Sequence, residues 1–338
     1  MKILYIISVS ILIAACSVHA PVGLDPIETP TYFKESIKSN SSNLKTDWWK
    51  NFNDKNLNTL VEFALKNNSN YKMSLKETAA SQPGIQERIM QEKNKAAKLA
   101  LISEVVTVYF QIATINKNIA NLSRQKTIVN SLLKIANTQY AIGYIEITTL
   151  RDASIKENSI KNDIRNLKKQ QKIYLNHLAE LQDQYPEDFK AKIDSAANKT
   201  EWQNLLPPTI PAQMLADRPD IQIAQLEVAA FSNNQTEWFS GFLSSFSSNE
   251  SPEDQYEQAV LNYKNTVHNA FQEVDDALLA FKEDQASLYS ARTITNNASE
   301  DYKTANIQYK AGQIDYATYL SFELHLLQTE YELALQNL

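Results

Sequence analysis

Glycine is scarce: the 338 residues contain five, with one cysteine, four histidines and a formal net charge of −6. Sheet-rich folds spend glycine on their turns, so this poverty, beside a 43% hydrophobic content, points to long helices. The negative balance excludes nucleic acid as the main partner, because phosphate binding needs a basic patch. His19, His177, His268 and His325 are scattered, and Cys16 is alone near the N-terminus. Neither a metal-ligand spacing nor an intrachain disulfide is available. There is no Gly-rich phosphate loop and no Gly-x-Ser-x-Gly elbow, and no histidine stands in a motif that pairs it with a nucleophile. Catalysis, cofactor and metal are therefore not expected.

What the chain does contain is a heptad rhythm. From Leu101 to Tyr140 the stripe runs in steps of four and three: Leu101, Val105, Val108, Ile112, Ile115, Ile119, Leu122, Lys126, Val129, Leu133, Ala136, Tyr140. A mean step of about 3.5 winds one helix left-handedly about another; Lys126 is the one interruption. At about 1.5 Å rise per residue the stripe makes a rod on the order of 60 Å long, which needs partners along its length. They are encoded in the chain itself. The shift that carries Gly143 onto Gly312 also lays Ala136, Asn137, Gln139, Tyr140, Ile145 and Thr149 onto Ala305, Asn306, Gln308, Tyr309, Ile314 and Thr318. Under the same shift Glu104-Val105 falls on Glu273-Val274, and the stripe returns from Ala270, Val274, Ala277 and Phe281 to Tyr302, Ala305 and Tyr309. The chain is an internal duplication.

Gly143 and Gly312 each follow a tyrosine, Tyr140 and Tyr309, by one short step, and glycine there permits the left-handed conformation that closes a helix. Descending stripes follow: Ile160, Ile164, Leu167, Gln171, Tyr174, Leu178, Leu181 in the first half and Leu320, Leu324, Leu327, Tyr331, Ala334, Leu338 in the second. Each half reads as an antiparallel hairpin. The fold class is mainly α, two duplicated long hairpins of coiled-coil character. Apolar face left over predicts self-association. Glu146 and Asp315, just after each glycine, are either turn residues favouring the start of the descending helix or elements of a contact at the tip. Asp275-Asp276 falls beside the stripe, where solvated charge is expected. The second descending stripe, ending at Leu338, reads as a clipped arm.

At the N-terminus, Lys2 and the apolar run Ile3 to Ile13 are too short to span a bilayer comfortably. Two small residues, Ala14 and Ala15, precede Cys16, as in the bacterial lipoprotein cleavage box, which would make Cys16 the acylated first residue. The alternative is an ordinary signal peptide cut near Ala15 or Ala20. A Pro-, Ser- and Asn-containing stretch without periodicity follows to about Asn43, a tether or an extended wrap. The chain thus divides into a lipoprotein signal peptide (1–15), an acylated tether (16–46) and two helical-hairpin repeats (47–205 and 206–338).

Asp47-Trp48-Trp49, Phe52, Asp54, Leu57, Leu60, Ala64-Leu65 and Asn67-Asn68 read as an amphipathic helix entered through an aromatic pair. Trp48 and Trp49 are anchors rather than base stackers, since no basic residues interleave with them. This block resembles the opening of the outer-membrane efflux factor family, the TolC/OprM-type channels, in its lipoprotein branch. Leu206-Pro207-Pro208, Ile210-Pro211, Leu215 and Arg218-Pro219-Asp220-Ile221 resemble the proline-rich link and motif that open the family's second half. Prolines there stop the preceding helix, Asp220 is placed to cap the next, and Arg218 beside it is read as a structural ion-pair partner rather than a substrate clamp. Ser17 after Cys16 resembles lipoproteins sent to the outer membrane.

The resemblance implies a homotrimer whose hairpins form a periplasmic tube with tips at Tyr140, Gly143, Tyr309 and Gly312. It implies work with a periplasmic adaptor protein and an inner-membrane pump, and attachment to outer-membrane lipid through acylated Cys16. Family members often carry an acidic residue six positions after the glycine; here Thr149 and Thr318 stand there, and Glu146 and Asp315 are the possible substitutes. The family closes a membrane barrel from four strands per chain, each needing about 9–11 residues of alternating polarity. Such strands are missing: Ser81-Gln82-Pro83-Gly84 passes straight into the next helical pattern, and Trp238, Phe239, Phe242, Leu243 and Phe246 have helical spacing, fitting either a membrane-surface helix or local core. Two functions follow. One is an export duct component of a tripartite efflux system; the other is a barrel-less periplasmic lipoprotein acting in structure or assembly, or a reduced relic.

Overall fold

The computed structural model describes residues 33, 47–190, 193, 212–232 and 252–336. The signal peptide, Cys16 and its acylation, nearly all of the tether, the Leu206–Pro211 link, the aromatic stretch Trp238–Phe246 and Leu338 lie outside the described residues. Where one amphipathic helix is expected from Asp47, the chain first makes a short 3-10 turn, Trp48–Phe52, closed by Asn53 in the left-handed region. Helix α1 (Lys55–Asn67) starts because Asp54 accepts from the backbone N–H groups of Asn56 and Leu57, at 2.8 and 3.1 Å. Asn68 ends α1 and caps α2 (Ser69–Ala80) by accepting from Tyr71 N–H, while its Nδ2 donates to the Leu181 carbonyl. The short link Ser81 to Gly84 then turns the chain into α3 (Ile85–Ala141).

Helix α3 has 57 residues, about 85 Å of rod, longer than its heptad stripe alone indicates. Helix α4 (Ile147–Leu181) descends beside it. The second repeat runs through a 3-10 turn (Ala212–Asp217), α5 (Pro219–Ser232), the 59-residue α6 (Pro252–Lys310) and α7 (Tyr316–Gln336). No strand occurs among the described residues. The fold is mainly helical, two long hairpins side by side.

Side-chain bonds give the order of the long helices. Gln171 on α4 donates to Asn116 on α3; Gln125 on α3 donates to the Leu327 carbonyl on α7, at 3.3 Å; Thr295 on α6 donates to the Thr329 carbonyl on α7, at 3.2 Å. The body is a palisade, α4–α3–α7–α6, with α1, α2 and α5 gathered at the end away from the hairpin turns. That head holds the aromatic core, where Phe52 meets Phe110 edge-on at 5.0 Å and Tyr109 donates to Asp54 at 2.6 Å. Trp48 and Trp49 are buried there, as anchors.

The heptad stripe of α3 is buried over most of its length, but α3 carries a second buried row that periodicity does not single out: Thr107, Thr114, Asn118, Gln125 and Ile128. Within this row Gln125 meets α7, bonding its Leu327 carbonyl, because the middle helix of a palisade has two neighbours. An apolar window in α3 is long and hydrophobic enough to cross a bilayer, yet two thirds of it, 67%, is buried inside the protein. It is a core segment. The capping role expected of Asp220 is corrected. Pro219 takes the first helical position, which its missing N–H suits, so Asp220 lies inside the first turn of α5, where it accepts from the Ile221 N–H at 3.0 Å and from Arg218.

Candidate functional site

The sequence places its candidate residues at two hairpin turns and one repeat opening, and the structure separates these into two ends of the molecule. At the first turn, Gly143 donates to the Tyr140 carbonyl at 2.9 Å and Tyr144 donates to the Gln139 carbonyl at 2.8 Å. At the second, Gly312 donates to Tyr309 at 3.0 Å and Gln313 to Gln308 at 2.8 Å. These paired bonds are the Schellman closure. Both glycines have positive φ, 74° and 71°, and open space where a Cβ would stand. Glycine is needed here for backbone conformation, not for room.

The two tips stand at nearly the same height. Gln125 on α3 bonds Leu327 on α7, and the span from Gln125 up to Gly143 differs from the span from Leu327 back to Gly312 by less than one helical turn. Beyond this shared scaffold the tips differ. Asp315 accepts from Thr318 N–H at 2.7 Å and caps α7; this bond holds its carboxyl below its ordinary value of 3.8. Glu146 occupies the matching cap position of α4 without a capping bond. Among the described residues it accepts from Thr148 Oγ1, at 3.4 Å.

Around Asp315, four tyrosines form a cluster. Tyr309 stacks on Tyr319 with centroids 5.1 Å apart, Tyr316 lies against both, and the hydroxyls of Tyr302 and Tyr319 are 2.7 Å apart. The bond with Tyr302, then burial, raises the Tyr319 hydroxyl above its ordinary 10. By the repeat alignment, the first tip has Leu133, Tyr140, Ile147 and Leu150 in these four places. There Tyr140, Ile142, Tyr144 and Ile147 are exposed, Ile142 and Tyr144 to 75%. Of this cluster the sequence marks Tyr309 as a tip residue; the signal for the rest is the tyrosine spacing at 302, 309, 316 and 319.

At the other end, Arg218 donates to Asp220 and, at 2.7 Å, to Glu273 on α6, so the repeat-opening motif fastens the head to the long helix. Burial acts against its charge, but the two carboxylates prevail and raise Arg218 above its ordinary value. Glu104, the counterpart of Glu273, instead lies 3.0 Å from His177 on α4, a pair that sequence spacing does not reveal. No cluster of three or more His, Cys, Asp or Glu suited to a metal occurs among the described residues.

Comparison with known proteins matches residues 68–182 to the outer membrane efflux protein family. An uncharacterised Haemophilus influenzae protein is 24% identical over 289 residues, 71% of this chain; the match spans 63% of that protein's length. Among solved structures, the outer-membrane channel OprN superposes with a TM-score of 0.67 at 16% identity, covering 96% of this chain and 94% of its own. The Campylobacter jejuni outer membrane channel CmeC gives 0.70 at 17% (95% and 92%), and CusC, studied for transmembrane channel formation, gives 0.67 at 18% (95% and 96%). The resemblance to the outer-membrane efflux family is shown, and the chain has the long-hairpin fold of these channels, which are not enzymes.

Proposed function

We propose that this chain, sharing its fold and one family segment with outer-membrane efflux channels, is a lipid-anchored component of an export duct for small molecules in a tripartite efflux system. Acylated Cys16 holds it to outer-membrane lipid, three copies assemble into a periplasmic tube, and the tips meet a periplasmic adaptor protein and an inner-membrane pump. The observation that carries this reading is the pair of hairpins side by side, closed by the same Schellman turn and presenting both tips at one end. Tyr140, Gly143, Glu146, Tyr309, Gly312 and Asp315 are its tip residues. Arg218, Pro219 and Asp220 are its head-fastening motif.

A second reading rests on the turn from α2 to α3. Ser81 to Gly84 is the whole connection, too short for the about 9–11 residues that each membrane strand requires. It supports a barrel-less periplasmic lipoprotein that keeps the hairpins for structure or assembly. An epitope inserted after Gly84, stained on intact and on permeabilised cells, separates the two. Labelling of intact cells supports the duct that reaches the outer face. Labelling only after permeabilisation, with the protein in the outer-membrane fraction, removes the channel and leaves the periplasmic lipoprotein. Cys16→Ser is expected to release the chain from the membrane fraction; retention there would sink the lipid anchor.

A further inference from the structure

Charge separates the two repeats where their rods are otherwise alike. From Val105 to Ile145 the ascending arm of the first repeat has four basic residues and no acidic one, whereas the matching stretch of the second, Val274 to Ile314, has four basic and six acidic. The descending arm continues the bias: between Asn158 and Ala179, α4 has five Lys and Arg against one acidic residue, Asp163. In a chain of net charge −6, this hairpin is a basic island. Its charges share one face. Gln171 on α4 donates to Asn116 on α3; at about 100° per residue, Lys117 and Arg124 on α3 and Lys161, Arg165, Lys168 and Lys172 on α4 all lie about 60–120° onward from that bond. On antiparallel neighbours an onward turn leads to the same side of the pair. All six are exposed. Lys161 pairs with Glu157 at 2.7 Å, and the other five have no ion-pair partner among the described residues. Asp163 lies on the opposite flank, where burial and then its carboxylate raise the Tyr331 hydroxyl of α7.

Six like charges spread over about 16 Å of rod and one interhelical spacing of about 8–10 Å repel one another, and within the fold only Glu157 offsets that repulsion. A multivalent anion laid along the face would offset the rest. The height of the face decides which anion. Lys117 and Arg124 stand about 48–58 Å along α3 from its start at Ile85, at the head. With the head at the outer membrane and the tips toward the inner one, as the proposed function has it, lipid headgroups lie beyond reach of this face. The polyanion at that depth is the cell-wall polymer, whose peptide stems carry repeated carboxylates. We propose that the basic face of the first hairpin binds the peptide-stem carboxylates of the cell wall and so holds the rod where it crosses that layer. The proposal rests on the proposed function for its orientation. Lysine ammonium groups are point charges on flexible stems, which suits a polymer of variable spacing better than one fixed small anion.

Sedimentation of the extracted full chain with purified, protein-free cell-wall sacculi tests this. Binding is expected at low ionic strength and should weaken as salt rises. Lys168→Glu with Lys172→Glu is expected to lower the affinity about tenfold. Lys72→Glu with Lys76→Glu, the same change of net charge on exposed residues of α2, should leave it unchanged. Sacculi whose carboxyls are converted to amides should no longer carry down the unaltered chain, a test that holds even where a variant fails to fold. Equal weakening by the two double variants, retention on amidated sacculi, or no sedimentation at all overturns the proposal. Binding to vesicles of anionic phospholipid through Lys168 and Lys172, with none to sacculi, identifies a lipid surface and overturns it too. The assay requires neither the anchor nor the assembled duct, so its failure leaves the proposed function standing. Failure of that function is read separately, by the epitope after Gly84 and by Cys16→Ser.

Discussion

Phe110 and Leu279 occupy the same position in the two repeats, yet Phe110 is fully buried against Phe52 and Tyr109 while Leu279 is 43% exposed. The contrast recurs in the head. Helix α2 has no buried residue, whereas α5, which lies opposite it when Glu77 is laid on Glu227 in the early part of the repeat, buries Ile221, Ala224, Leu226, Val228 and Ala230. Glu273 is tied by Arg218, its counterpart Glu104 by His177. At the tips, the second hairpin is capped and carries a tyrosine cluster, where the first is uncapped and has three aliphatic residues and one tyrosine in the same four places. A duplication copies the rods and turns, which local sequence specifies, but each copy then meets different neighbours, and its side chains change to suit them.

Breaking the comparison at its deepest point should have the largest effect. Phe110→Ala is expected to cost about 3–5 kcal/mol of unfolding free energy, as for large aromatic truncations in a core, while Leu279→Ala stays within about 0.5 kcal/mol. Denaturant unfolding of the monomeric chain checks both, and equal losses would mean that the two repeats are packed alike. Arg218→Ala, which leaves two carboxylates without their partner, is expected to cost about 1–2 kcal/mol, and His177→Ala less than about 1.

The glycines test the sameness of the two turns. Gly143→Ala and Gly312→Ala should each cost about 1 kcal/mol from the left-handed backbone alone, with no steric addition; a much larger loss at either would reveal a neighbour pressed on that tip. Tyr319→Phe removes the hydroxyl contact with Tyr302 and is expected to cost about 0.5–1 kcal/mol, against no measurable change for Tyr140→Phe. Because the Tyr319 hydroxyl is raised above 10, its protonated form is favoured by the fold. That contribution is whole below pH 10 and is lost as pH rises through the raised value, so alkaline melting should begin at the second tip and not in the Tyr319→Phe variant.

The smallest effect is at Asp315. Its carboxyl is lowered from 3.8, so its cap contributes above that value and is lost as pH falls through the lowered one. Hydrogen exchange in the first turn of α7 should therefore quicken in acid, with no matching change attributable to a cap in α4. Asp315→Asn, which keeps a side-chain acceptor, should remove that pH dependence.

The repeats, the rods and the hairpin turns are legible because each is local. A heptad step reports the pitch of one helix, and glycine shortly after tyrosine at the end of a stripe reports a backbone that must turn left-handed. Aspartate or glutamate before a descending helix can be placed at the cap, but only the distances separate Asp315, which reaches Thr318, from Glu146, which does not. Asp220 departs from its expected role because Pro219 begins α5 two residues earlier than the capping pattern assumes.

The sequence by itself determined that this protein is two copies of a long helical hairpin, since periodicity and turn chemistry act over short stretches of chain. Tertiary structure alone decided that α3 lies between α4 and α7 with a second buried row, and that α4 and α6 become the open edges. The order of helices in a palisade is settled by contacts between residues far apart in the chain, such as Gln125 with Leu327, and no local pattern records which of several apolar faces will find which neighbour.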